Sequence, residues 1–164
     1  MPEAQYISTS EFEAFAGDSK YPTKWLKKHQ GESLFAGFNA WAAIFGMQWF
    51  FFRKLYFQGL LSLLLEFGLP FVIGFTVVTV FGQGQPEVLL IVGSALAARI
   101  AIGYWANVSL YSEAVRVIRQ VDQMNLDNEA HLKQIRAAGG VSVPSLLLAY
   151  AILGMLRLVF PHVW

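Results

Sequence analysis

Long apolar stretches alternate with short charged segments along most of the chain, and this alternation predicts its main elements. Leu55 to Phe81 and Val88 to Tyr111 each exceed the roughly 20 residues that a helix needs to cross a bilayer. The turn-rich residues 82–87 between them contain no Lys or Arg. The pattern predicts a transmembrane hairpin of two antiparallel helices, with its tip on the outer, non-cytoplasmic side of the membrane because cations stay on the cytoplasmic side.

The aromatic segment 34–54 is ambiguous by the same criteria. Its part from Leu34 to Phe52 is uncharged and long enough to span, but Arg53 and Lys54 follow directly and several lysines precede it. A span would place these two groups of cations on opposite sides of the membrane, against the positive-inside tendency. We therefore favour a re-entrant or interfacial helix that enters and leaves on the cytoplasmic side, with a true span as the alternative.

Two further elements are predicted after the hairpin. Residues 112–140 become amphipathic and predict cytoplasmic helices, of which the second begins at Asn125 or Asp127 and ends at Gly139. Residues 144–160 are apolar again and predict a C-terminal helix that spans the membrane or packs against the hairpin.

Together these elements predict an all-α integral membrane protein. It consists of a transmembrane helical hairpin, a C-terminal apolar helix, an aromatic re-entrant or interfacial helix, and cytoplasmic amphipathic helices. A polar cytoplasmic leader, 1–33, without a removable signal peptide, precedes a single membrane domain, 34–164. Within the leader, Ser8 and Glu11 have the spacing of a capping box that starts a helix.

Composition supports the membrane assignment and removes several classes of function. The chain is 55% hydrophobic and 14% charged, whereas soluble domains average about 25% charged residues. Its net charge of +1 gives no concentrated basic surface for a nucleic acid. Cysteine is absent, the three histidines are scattered, and no catalytic arrangement of side chains is visible. We therefore expect no cofactor, no metal site and no enzymatic activity.

Glu66 and Arg99 are the charged residues expected deep inside the hairpin, where an ionisable group needs a partner. Each lies roughly 16–18 Å from the cytoplasmic end of its helix, so their depths match. Small residues one turn away on each helix would allow a close approach. We predict an intramembrane Glu66–Arg99 ion pair, which either fixes the register of the two helices or binds a proton or ligand.

Asn107, Tyr150 and Arg157 could extend this site into a polar pocket. Asn107 shares a helical face with Arg99, and Arg157 shares one with Tyr150. If Arg157 joins Glu66 and Arg99, the surplus positive charge would suit an anionic lipid or the carboxylate of a partner. The alternative is that Arg157 extends outward to the membrane surface.

The segment from Phe38 to Tyr56 is the most distinctive in the chain. It reads FNAWAAIFGMQWFFFRKLY and resembles, without gaps, the opening motif of a family of small bacterial inner-membrane proteins known as domain of unknown function 2628. The principal residues shared with that motif are Phe38, Asn39, Gly46, Trp49, Arg53, Lys54 and Tyr56. Met47 stands where the family usually has Pro, and the first Trp falls one position later, at Trp41. The resemblance implies a bacterial inner-membrane protein and no particular chemistry.

We therefore expect a multi-pass protein of the bacterial inner (plasma) membrane with a cytoplasmic N-terminus, in contact with membrane lipids. It is expected to act without catalysis by binding a protein partner, as an accessory subunit or an immunity-type protein, or by forming a homo-oligomer. The alternative is a transport or lipid-binding protein whose polar site is formed by Glu66, Arg99 and Arg157. Exchanging the charges of Glu66 and Arg99 should restore function if their pair is only structural.

Overall fold

The structure, a computed structural model, describes residues 7–17, 37–81 and 85–159. Every regular element within these ranges is helical, so the predicted all-α class is confirmed. The helices are α1 (Thr9–Ala16), α2 (Ala40–Phe45), α3 (Met47–Phe52), α4 (Tyr56–Leu63), α5 (Leu69–Phe81), α6 (Gln85–Asp122), α7 (Asn128–Ala138) and α8 (Val143–Val159). A π-helical turn (Leu64–Gly68) connects α4 to α5. Most of the predicted leader and part of the hairpin tip lie outside the described residues.

Three helical stretches are long and apolar enough, by length and composition, to cross a membrane. They are Tyr56–Val80, Val88–Asp122 and Asn128–Val159. The first two contain the predicted hairpin, and the apolar part of the third is α8. These stretches are compatible with a multi-pass membrane protein.

Helices α5 and α6 pack against each other as the hairpin. They approach closely at Gly74, where an added Cβ would lie 2.9 Å from Ile91 Cδ1. Helix α6 then continues to Asp122 instead of ending near Tyr111, because residues 104–122 contain neither Gly nor Pro to interrupt it. Its 38 residues correspond to about 57 Å. Since a hydrocarbon core is about 30 Å thick, α6 is long enough to extend well beyond one.

At the far end of α6 from the hairpin tip, α1 and α7 pack against the helix and against each other. The apolar side chains buried between these three helices include Phe12, Phe15, Val117, Val121 and Ile135. The predicted capping box of α1 is present, since Glu11 N–H donates to Ser8 Oγ and Ser8 N–H donates to Glu11 Oε2. Helix α7, Asn128–Ala138, lies within the predicted bounds, with Asp127 as its N-cap and Gly139 as its C-cap. We call α1, α7 and the adjoining end of α6 the end layer.

Helix α8 follows the turn at Gly140 and lies within one residue of the predicted C-terminal helix. Its main contact is with α3, where Ala149 is buried beside Met47 and Phe51. Ser142 N–H also donates to Phe52 O at 2.8 Å, which fixes the start of α8 to the end of α3. The C-terminal helix therefore packs mainly on the aromatic segment. The sequence predicts a helix that either spans the membrane or packs against the hairpin, and it does not predict this contact.

Candidate functional site

Helices α2 and α3 are separated by a single residue, Gly46, whose backbone adopts φ 50° and ψ −123°. Residues with a side chain rarely adopt a positive φ, so glycine suits this position. Gly46 N–H donates to Ala42 O, and Trp49 N–H donates to Gly46 O. A helix break of this kind leaves terminal carbonyls of one helix and terminal amides of the next in need of other partners.

Glu66 and Arg99 meet at this break. The sequence predicts their pairing because they lie at matching depths along their helices. Arg99 Nη2 lies 3.1 Å from Glu66 Oε2. Arg99 Nη1 donates to Ile44 O at 2.9 Å, and Met47 N–H donates to Glu66 Oε1 at 3.0 Å. The guanidinium therefore covers the carbonyl end of α2, and the carboxylate covers the amide end of α3.

Both charges match the helix ends that they contact. The carbonyl end of a helix carries a partial negative charge and the amide end a partial positive one, so each side chain meets an opposite potential. The Glu66 side chain is 4% exposed and that of Arg99 is 36% exposed. Loss of Arg99 would leave a nearly buried carboxylate without its counter-ion, which typically costs roughly 3–5 kcal/mol.

The absence of a side chain at Gly46 lets the ion pair approach the backbone. A Cβ added there would overlap Glu66 Oε1 and would lie 2.8 Å from Arg99 Nη1. Gly46 thus meets two independent requirements, a backbone conformation and a space, and both disfavour any larger residue. The break and the ion pair form one structural unit, which we call the capped break.

Glu66 reaches the capped break from a widened turn of its helix. Pro70 has no N–H to donate to the carbonyl oxygen of Glu66 four residues earlier. The helix adopts its π turn, Leu64–Gly68, immediately before this proline. A π turn contains one more residue than an α-helical turn. The side chains within the turn and after it therefore point in different directions than in a regular α-helix.

Asn39 fixes the entry into α2. Its side-chain oxygen accepts Ala42 N–H at 3.0 Å, and its amide nitrogen donates to Asn107 Oδ1 at 2.9 Å. Asn107 Nδ2 donates in turn to Gly37 O, and Asn39 N–H donates to Gly103 O. Asn107, predicted as part of a polar pocket, is used here to anchor the start of α2 to α6.

Phe38 packs on the same face of α6. A Cβ added to Gly103 would overlap the Phe38 ring, so the aromatic side chain lies directly on the helix backbone. The rings of Phe38 and Tyr104 meet edge to face with centroids 5.2 Å apart. The first two motif residues therefore attach the segment to α6 by packing and by hydrogen bonds.

Arg53 and Lys54 bind the carbonyl ends of two other helices. Arg53 Nη1 donates to Ala16 O at the end of α1 at 2.7 Å. Lys54 Nζ donates to Ala137 O near the end of α7 at 3.1 Å. Since cations are favoured at helix C-termini, these contacts hold the end of α3 against the end layer.

The two remaining motif aromatics pack at the same end of the segment. Trp49 is buried, meets Phe50 edge to face, and lies under the Arg53 guanidinium at 6.0 Å from the ring centroid. Tyr56 Oη lies 2.9 Å from Ser145 Oγ of α8. Six of the seven motif residues singled out from the sequence thus contact another part of the fold or form the capped break, and Trp49 packs within the segment as part of the main apolar core.

The contacts of α2 and α3 along α6 show that the segment turns back on itself. Asn39 contacts Asn107, whereas Ile44 contacts Arg99, two helical turns further toward the hairpin tip. Past the break, Phe50 packs on Trp105, so α3 returns toward the level at which α2 began. The eight residues between positions 99 and 107 correspond to about 12 Å along α6.

Tyr150 and Arg157 take no part in the hydrogen bonds and the ion pair of the capped break. Tyr150 lines a groove of about 400 Å³ together with aromatic side chains of α2 and α3, including Trp41 and Trp49. Arg157 is exposed near the end of α8 and does not line that groove. Within the described ranges, the ion pairs of the structure do not include Arg157.

The sequence pairs Glu66 with Arg99 but does not indicate what the pair contacts. Depth matching needs only the lengths of two helices, whereas the packing of α2 and α3 on the hairpin is a tertiary contact. One available signal was Gly46 itself, which lies between two apolar helical segments and separates a set of carbonyls from a set of amides that need partners.

Comparison with known proteins identifies the family to which the chain belongs, and that family has no known function. The family model described as "Protein of unknown function (DUF2628)" matches residues 13–116, a range that contains the capped break and every motif residue. No curated protein and no solved structure was found to match the chain. Because the match covers more than half of the 164 residues, the chain belongs to this family of proteins of unknown function.

Proposed function

We propose that the chain is a non-enzymatic protein of the bacterial inner membrane that acts by binding a protein partner at the bilayer. In this proposal the α5–α6 hairpin and α8 cross the membrane, and the end layer with the N-terminus lies in the cytoplasm. The partner makes the chain an accessory subunit or an immunity-type protein.

In the same proposal α2 and α3 form a re-entrant segment that enters and leaves on the cytoplasmic side. Two observations support it: the segment turns back at Gly46, and its end is bound through Arg53 to α1, which itself packs on α7. A backbone break at membrane depth is tolerated only where its polar groups are satisfied by protein or water. The capped break meets that condition, since Ile44 O and Met47 N–H are both bound by side chains.

The observation that carries the functional proposal is that the ion pair is used by the protein's own backbone. Glu66 accepts from Met47 N–H as well as pairing with Arg99, and Arg99 donates to Ile44 O. Charged groups committed in this way have little capacity left for a transported ion or substrate. We infer that the pair supports the fold and that the function lies on an outer surface.

A groove of about 700 Å³ between α4, α6 and α7 is the surface that best fits a partner. Its lining combines apolar, amide and charged side chains: Lys54, Tyr56, Phe57, Gln58, Glu113, Arg116, Val117, Gln120, Val121, Met124, Gln134 and Ala138. Phe57 and Met124 are largely exposed, and Met is common on surfaces that bind helical segments. We propose that an amphipathic helix of the partner binds here, at the cytoplasmic surface of the membrane.

Site-specific photocrosslinking in native membranes tests the proposal. A photoreactive amino acid is placed at Gln120, which lines the groove, or at Gln123, which is exposed in the turn directly after α6 and does not line the groove. We expect a discrete protein adduct from position 120 and none from position 123. Adducts to lipid alone, or equal protein adducts from both positions, would contradict a partner in the groove. An adduct of twice the chain mass would show a homo-oligomer.

One observation favours a second candidate, a transport or lipid-binding site at the ion pair. The Arg99 side chain keeps 36% of its surface exposed, so part of the guanidinium is open to a lipid or an anion. Arg157, which the sequence placed in the same polar site, does not pair with Glu66 in the described part of the chain. The second candidate therefore depends on Arg99.

The geometry changes what an exchange of the two charges should do. Glu66→Arg would place a donor opposite Met47 N–H, and Arg99→Glu would place an acceptor opposite Ile44 O. A purely structural pair is therefore not restored by the exchange.

Glu66→Gln is the sharper test, because it keeps an oxygen for Met47 N–H. A structural role predicts a loss of roughly 1–3 kcal/mol of stability. Unchanged stability together with lost function would favour a ligand site.

A further inference from the structure

Three metal-ligating side chains from three helices meet in the end layer, away from the capped break. They are Glu11 of α1, Asp122 at the end of α6 and His131 of α7. One ligand atom from each lies within 4.8 Å of the others. The cluster could not be predicted from the sequence, because its members are separated by 111 and 9 residues and no two of them share a helix.

The distances within the cluster suit a common ion. His131 Nε2 lies 3.2 Å from Glu11 Oε1 and 3.6 Å from Asp122 Oδ1. Two ligands that each bind Zn²⁺ at about 2.0–2.1 Å in tetrahedral geometry are about 3.3 Å apart. The two distances from His131 are therefore close to the separation that a bound ion requires, and the Glu11 and Asp122 oxygens lie within 4.8 Å of each other.

The histidine nitrogen at the centre of the cluster is sealed and lacks an aligned partner. Its Nε2 is buried from solvent and forms no hydrogen bond of acceptable geometry with the described residues. The whole side chain is only 17% exposed. A ring nitrogen that lies near two carboxylate oxygens needs either a proton or a metal ion there, because its bare lone pair would otherwise face the lone pairs of the oxygens.

The carboxylates are arranged as ligands usually are. Glu11 Oε2 is occupied by Ser8, which donates from N at 3.0 Å and from Oγ at 2.6 Å, so that Oε1 is presented to the cluster. Such outer hydrogen bonds orient the ligands of metal sites. The Asp122 side chain is 41% exposed, which leaves a side open for a water ligand and for entry of the ion.

We propose that Glu11 Oε1, Asp122 Oδ1 and His131 Nε2 form a binding site for a divalent transition-metal ion of the zinc type. The two carboxylates balance the charge of the ion, and a water molecule completes its coordination. The imidazole favours such an ion over Mg²⁺ or Ca²⁺, which prefer oxygen ligands alone. Because the three ligands come from α1, α6 and α7, the ion joins the helices of the end layer. This proposal is independent of the partner in the groove.

Titration of the full chain in mild detergent, after removal of metals with a chelator, tests the site. We expect one Zn²⁺ per chain by calorimetry, with no competition from excess Mg²⁺. His131→Gln should weaken binding at least tenfold, and Glu11→Gln and Asp122→Asn should also weaken it. Glu129→Gln is the matched control, because Glu129 is an exposed carboxylate on the same helix as His131, and it should bind like the native chain.

Co²⁺ absorption supplies a readout that depends on geometry as well as affinity. We expect the visible bands of four- or five-coordinate Co²⁺ in the native chain, lost in His131→Gln and kept in Glu129→Gln. Circular dichroism checks that each variant folds, and the conservative Glu11→Gln keeps the test valid if His131→Gln does not fold. Equal Zn²⁺ affinity of the native and His131→Gln chains, or no uptake at all, would overturn the proposal and leave a histidine–carboxylate ion pair.

Discussion

Gly46 is essential to the capped break although it has no side chain of its own. Its positive φ separates α2 from α3, and its missing side chain leaves the space in which Glu66 approaches the backbone. Neither role depends on the identity of the surrounding apolar side chains. The position is therefore expected to be far more sensitive to substitution than a helical glycine with open space around it, such as Gly154.

Gly46→Ala should destabilise the protein by roughly 3–5 kcal/mol, because the methyl group forces both a strained backbone and displacement of Glu66. Thermal unfolding in detergent, followed by circular dichroism, measures the change. Gly154→Ala is the matched control, since a Cβ there meets nothing within 4 Å. It should alter stability by about 1 kcal/mol or less. Equal effects at both positions would contradict the capped break.

At the residue scale, the sequence predicted contacts that depend on depth and spacing. Glu66 and Arg99 could be paired because each helix converts residue number into distance at a fixed rise. The capping box of Ser8 and Glu11 could be predicted because it is local. The anchoring of Asn39 by Asn107, and of Arg53 by Ala16 O, could not, since both link segments that only the tertiary fold brings together.

At the element scale, the length of α6 and the presence of the π turn differ from what the hydrophobic pattern predicts. The change from apolar to amphipathic residues after Tyr111 marks a change of surroundings, but the helix itself continues to Asp122. The π turn before Pro70 was not predicted, because proline more often ends or kinks a helix than widens it. Helix type and helix environment are separate properties, and hydropathy reports only the second.

The packing of α1 against α6 and α7 should depend on pH. Partial burial raises the pKa of Glu11, but the hydrogen bonds from Ser8, together with the nearby imidazole of His131, lower it by more, so the pKa of Glu11 lies below its ordinary value. A carboxyl group with a lowered pKa in the folded chain stabilises the fold above its ordinary pKa. That contribution is lost as the pH falls through the lower, folded value.

In chelator-treated protein, we therefore expect hydrogen exchange in α1 to accelerate, relative to α6, as the pH falls below the ordinary pKa of a glutamate. Asp122 and His131 are the other titratable groups that face Glu11, and Ser8 is its neutral partner. Glu11→Gln should exchange faster than the native chain at neutral pH and should lack this pH dependence. An unchanged dependence in Glu11→Gln would assign the effect to another group.

At the scale of the whole molecule, the proposed topology places the leader and the end layer on one side of the membrane and the hairpin tip on the other. Single cysteines test this directly, because the native chain contains none. Ser19→Cys and Gln123→Cys should react with a membrane-impermeant maleimide only after the inner membrane is permeabilised. Gln83→Cys should react in intact spheroplasts.

The same experiment separates a re-entrant segment from a span. If residues 34–54 crossed the membrane, Ser19→Cys would react together with Gln83→Cys instead of with Gln123→Cys. A permeable maleimide, which should label all three variants, controls for reactivity. Labelling of Ser19→Cys in intact spheroplasts would therefore contradict the re-entrant segment while leaving the hairpin unaffected.

The capped break also has a consequence for biosynthesis. Gly46 leaves the ribosome before Glu66, and well before Arg99, so the backbone groups at the break have no partners while the segment is being made. Unsatisfied polar backbone groups keep a segment out of the hydrocarbon region. In the proposed topology, the aromatic segment would therefore stay at the membrane surface until the hairpin has inserted, and its final depth would be among the last features to form.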